Sequence, residues 1–136
     1  MKTITLMSAK LILLMSSFIL VGYSTSTTAV DTAAEKNIIV LVKYKAQSDK
    51  AVMAVSELTK LIEKVKQEPH FITLKLLVDP KDNTNILLHE EWNDASYYNG
   101  EHMNTAHLQE FIANSRNFLA GPPEISFWKI ENEFKK

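Results

Sequence analysis

The stretch Asn85–His107, NILLHEEWNDASYYNGEHMNTAH, decides how this chain is read. It opens on an apolar run, Ile86–Leu88, turns acidic and aromatic at Glu90, Glu91 and Trp92, and breaks at Asn93-Asp94. Asp94 is placed to cap a short helical turn through Tyr98, because its carboxylate can accept from the orphan N–H groups of a first turn. Asn99-Gly100 ends that turn. Two histidines follow, His102 and His107, five residues apart. Asn104 or Thr105 is placed to cap the helix that carries the second.

Working outward, Phe71–Asp79 puts Ile72, Leu74, Leu76 and Val78 on one face and Thr73 and Lys75 on the other, with Leu77 out of pattern. That alternation is a half-buried strand. Asp79–Asn83 reads as a turn, and Thr84–Trp92 as the second strand of a hairpin. Ile38–Tyr44, IIVLVKY, is β-branched and apolar on both faces at its start, which predicts a central strand. Between these strands, apolar residues at 51, 52, 55, 58, 61, 62 and 65 fall at helical spacing. Ser48 is placed to cap that helix and Pro69 to end it. Downstream, Leu108, Phe111, Ile112, Ser115 and Phe118 or Leu119 share one side of a last helix. Gly121-Pro122-Pro123 stops it, and Glu124–Phe134 is the last predicted strand.

The resulting order, β-α-β-β-α-β, predicts an α+β, ferredoxin-like fold: a four-stranded antiparallel sheet with both helices on one face. Ile38 and Val40, or Ile39 and Leu41, cannot join both Trp92 and Trp128 under two helices. The other face therefore needs a cover. A second copy of the chain is the cheapest one, giving a homodimer through the sheet face and a closed dimeric α/β-barrel.

The 136 residues bound the chain to one domain. With 15 basic and 16 acidic side chains it carries no field that would draw nucleic acid. Without cysteine it has no disulfide, thiolate metal site or cysteine nucleophile. Met1–Lys10 holds two lysines and no acid, Leu11–Val21 is apolar, and Gly22–Ala29 is small and polar. This is the layout of a secretory signal. The apolar run is too short to cross a hydrocarbon layer of about 30 Å as a relaxed helix. Thr27 and Ala29 fit the small-residue rule, so cleavage is expected after Ala29, with Ala34 the second choice. The expected organisation is a signal peptide at 1–29, a flexible linker at 30–36 and a domain at 37–136. The protein is expected to be exported, periplasmic or secreted, with no stable membrane partner; an N-terminal anchor is the minor alternative. Tyr23 stands where a lipoprotein signal needs cysteine.

Glu90 and Trp92 give the pattern E-x-W at a strand end, and His102, Thr105 and His107 give H-x-x-T-x-H at a helix start. Together with the element order, this resembles the antibiotic biosynthesis monooxygenase domain family, over roughly residues 38–134. The resemblance implies a dimeric α/β-barrel that oxygenates a quinol or similar electron-rich aromatic with O2 and no cofactor. It implies His102 and His107 as catalytic bases, with Trp92, Glu90, Tyr44 and Phe111 around the substrate. The alternative is a non-catalytic dimeric module of the same fold that holds a small ligand. Three features depart from the family. Glu68-Pro69-His70 stands where a turn glycine is common. Trp92 to His102 is one residue longer than usual. The histidine and asparagine of the haem-degrading branch are missing.

The residues themselves leave other readings open. Either histidine can be structural, one fixing the helix start and the other bonding a backbone carbonyl or Glu90 across a dimer. Their spacing is not the i, i+4 of helical zinc sites, so no metal is expected. An inward Glu90 needs a partner, with His102 or Lys43 within reach. His89 shares the face of Glu91 and is expected to be exposed.

Overall fold

The structure is a computed structural model that describes residues 37–136. The expected signal peptide and linker lie outside the described residues. In chain order the elements are β1 (Ile38–Lys45), α1 (Ala51–Val65), β2 (Phe71–Val78), β3 (Asn85–Trp92), α2 (Ala95–Asn99), a 3-10 turn (His102–Asn104), α3 (Ala106–Ser115) and β4 (Glu124–Trp128). The sheet order is β2-β3-β1-β4, and every neighbouring pair is antiparallel. This is the ferredoxin-like α+β fold, with β1 central as its apolar character required. Among the described residues no helix is long and apolar enough to cross a membrane.

Register decides which side chains the helices cover. Val40 pairs with Glu90, Val42 with Leu88 and Tyr44 with Ile86, and all six are buried beneath α1 and α3. Trp92 continues the same face and is fully buried. The opposite face carries Ile39, Leu41, Leu87 and His89, half-buried, and Leu77 and Trp128, exposed. The tryptophan pair thus divides, Trp92 under the helices and Trp128 on the open face beside Ile39.

Several local expectations are corrected. Ile72 does not continue the buried face of β2: it is the extra residue of a bulge between Phe71 and Thr73 and is exposed. Lys50, not Ser48, stands at the N-terminus of α1, without a side-chain cap. The buried stripe of α1 is Ala51, Ala54, Leu58, Leu61 and Val65, while Val52 faces solvent. β4 ends at Trp128 rather than Phe134, because β1, its partner among the described residues, runs out one residue beyond the Ile39–Trp128 pair. Asp94 does cap α2, accepting from the N–H groups of Ser96 and Tyr97. Thr105 stands before α3, but its hydroxyl bonds the His102 carbonyl instead of capping the helix. His70, in the turn between α1 and β2, adopts φ 71°, the left-handed conformation that glycine takes most easily.

Candidate active site

Five aromatic or imidazole rings gather where β3 runs into α2 and the 3-10 turn. Phe71 meets Trp92 edge-on at 5.6 Å, Tyr98 meets it at 5.4 Å, and Tyr97 lies 6.2 Å away. The His102 ring packs between Trp92, at 4.7 Å, and Tyr98, stacked at 4.8 Å. The 3-10 turn holds the His102 backbone, because both the amide and the hydroxyl of Thr105 donate to its carbonyl. His102 is 5% exposed and therefore needs a polar partner.

That partner is Glu68, in the turn after α1. Its Oε2 lies 2.9 Å from His102 Nδ1 and 3.1 Å from the Tyr97 hydroxyl, and its Oε1 lies 2.5 Å from His107 Nε2. The Glu68 side chain is 6% exposed. A carboxylate only accepts hydrogen bonds, so Nδ1 of His102, Nε2 of His107 and the Tyr97 hydroxyl all donate to it. Neutral His102 then carries its proton on Nδ1 and its lone pair on Nε2. Among the described residues nothing is hydrogen-bonded to that Nε2.

A cavity of about 650 Å3 lies between the sheet and α1 and α3. Leu61, Val65, Val42, Leu88, Leu108 and Phe111 give it an apolar wall. Glu90, Tyr44, Tyr98 and His102 are the polar groups deep in its lining, with Gln47, Ser115 and Arg116 nearer the α3 C-terminus. Glu90 is buried, and Trp92 Nε1 donates to its Oε2 at 2.9 Å. Alternate residues of a strand share a face, which brings this pair together in place of the Glu90–His102 or Glu90–Lys43 contact offered by the sequence. Burial raises the Glu90 carboxyl from 4.5 to about 7; the indole hydrogen bond opposes the rise and the Glu68 charge adds to it. Burial, then the Glu90 charge, also raise the Tyr44 and Tyr98 hydroxyls, which stay protonated at neutral pH.

The residues singled out from sequence are thus not all equivalent. Tyr44, Glu90, Phe111 and His102 line one cavity. Trp92 stands behind it, tying Glu90 and backing His102. His107 lines a separate groove between α1 and α3, with Lys60, Lys64 and Glu110. Glu68 was missed, although a signal existed: it falls three residues after Val65, as a lone acid extending the buried stripe of α1.

The antibiotic biosynthesis monooxygenase domain matches residues 37–114, more than half of the chain. The protein belongs to that family. Its sequence is 28% identical over 97 residues to an uncharacterized protein of Synechocystis sp., covering 71% of this chain and 65% of that relative. The chain therefore spans just under two thirds of that relative's length. Among solved structures, it is similar to a Pseudomonas aeruginosa protein with a TM-score of 0.66 and 19% identity, covering 73% of this chain and 98% of that one. A protein described as an antibiotic biosynthesis monooxygenase aligns with a TM-score of 0.63 and 20% identity, over 70% and 99% of the two chains. At these identities the structural matches establish the fold alone.

Proposed function

We propose that the protein oxygenates a quinol or a similar electron-rich aromatic hydroxyl compound without a bound cofactor. The observation that carries this reading is His102, in the wall of an apolar cavity with Nδ1 tied to a buried carboxylate and Nε2 without a partner among the described residues. Nε2 takes the phenolic proton, and the anion passes an electron to O2. The radical pair joins at a ring carbon, and the resulting hydroperoxide loses water. A quinol and O2 thus give a hydroxyquinone and water. All four electrons come from the organic substrate, so the balance needs no external reductant. The apolar walls keep water from the anion and the radical pair, and the cavity volume falls within the roughly 300–1,000 Å3 usual for small-molecule sites. Glu90, near 7, is poised to exchange a proton with the departing peroxide oxygen.

A second copy of the chain covers the open sheet face in this reading. Ile39, Leu41 and Leu87 lie half-buried there, opposite Glu91, His89 and Lys43, and His89 Nδ1 is buried without a hydrogen-bond partner among the described residues. The leader at 1–29 directs the protein out of the cytoplasm. The alternative, a ligand-binding module without chemistry, shares the cavity but not the need for an imidazole with a free lone pair.

The test is product analysis with isotopically labelled O2 and a reduced naphthoquinol. One labelled oxygen atom in a hydroxyquinone formed only with enzyme is expected. Labelled product formed equally fast without the protein, across several quinols, would remove the oxygenase reading and leave the binding module.

A further inference from the structure

The two histidines, though part of one motif, face different compartments. His102 lines the inner cavity, and His107, 20% exposed, lines the groove between α1 and α3. Both donate to opposite oxygens of one carboxylate, which also accepts from Tyr97. Glu68 is reached only through the fold, since 34 and 39 residues separate it from its two histidines. We propose that Glu68 is the positioning residue of this site, fixing His102 as its Nδ1–H tautomer so that Nε2 presents a lone pair to the cavity, with His107 and Tyr97 clamping Glu68 in place.

This rests on the oxygenase reading for its purpose but not for its geometry. An imidazole that carries its proton on Nε2 cannot act as a base toward the cavity. In water the Nε2–H tautomer competes freely, so the acceptor at Nδ1 decides which form the cavity meets. The same carboxylate stabilises the imidazolium formed once Nε2 has taken a proton. The clamp explains why a surface-facing histidine is spent on a buried acid. Without His107, Glu68 keeps one fewer donor and more freedom to turn from His102.

The test reads the tautomer directly, from long-range nitrogen–proton correlations of the histidine rings in the labelled full chain at neutral pH. His102 is expected to carry its proton on Nδ1. A proton on Nε2 in the unmodified protein overturns the proposal, with no substrate needed. Glu68→Gln is expected to give a mixed tautomer and to lower kcat about 10- to 100-fold, with KM changed less than about twofold. An unchanged tautomer in a folded Glu68→Gln variant overturns the proposal as well. His107→Ala, which removes one donor to Glu68, is expected to mix the His102 tautomer, and His107→Gln, whose amide N–H can replace Nε2–H, to restore it. An unchanged His102 tautomer in a folded His107→Ala variant contradicts the clamp role. Because the tautomer is measured without turnover, absence of any oxygenase activity leaves the positioning claim separately decided.

Discussion

The two faces of the sheet are built from the same four strands and differ in how polar groups are treated. On the covered face Glu90 is paired with Trp92, and His102, packed above it, is paired with Glu68. On the open face His89 keeps a buried ring nitrogen unpaired among the described residues, and Leu77 and Trp128 are exposed. The contrast teaches where each task lies. A face that pairs Glu90 and His102 Nδ1 within one chain and encloses a cavity can hold chemistry. The face that leaves one unsatisfied is the one proposed above to take a second copy.

Removing the two tryptophans sharpens this contrast most. Trp92→Ala is expected to cost about 3–5 kcal/mol in denaturant unfolding, from the void it leaves and the lost partner of Glu90. Trp128→Ala, measured at concentrations low enough to keep the chain monomeric, is expected to stay within about 0.5 kcal/mol. Equal losses would break the distinction between the faces.

The next effect concerns Glu90. Its folded carboxyl titrates near 7 and its unfolded one near 4.5, so the folded state holds the proton more tightly. Stability from this group is fully present below about 4.5 and declines as pH rises toward about 7. The shift corresponds to roughly 3 kcal/mol at about 1.4 kcal/mol per pH unit. Glu90→Gln is expected to flatten the fall in melting temperature over that window, and an undiminished slope would refute the assignment.

On the open face, Leu41→Asp is expected to leave monomer stability within about 1 kcal/mol while abolishing assembly in sedimentation velocity. A wild-type chain that sediments as a monomer at micromolar concentration would contradict the second-copy reading.

Much of this contrast was legible in the sequence. Ile86, Leu88, Glu90 and Trp92 alternate, so an inward Glu90 follows once Trp92 is placed in the core. Strand order followed from element order. What stayed hidden was set by distance along the chain. The α1 stripe marks Glu68 as inward, but its meeting with His102 and His107, 34 and 39 residues away, is set by tertiary packing alone. The bulge at Ile72 was hidden because a single inserted residue leaves the apolar character of the strand intact. The end of β4 depended on the length of β1, which no property of residues 129–134 reveals.

The central claim is that His102 is the base that starts oxygenation. It is tested most directly by O2 consumption with a reduced naphthoquinol, comparing the wild-type protein with His102→Ala at matched fold stability. A rate lower by about 10²–10⁴ in the variant is predicted, the usual contribution of a positioned general base. Equal consumption by the two proteins would contradict the account.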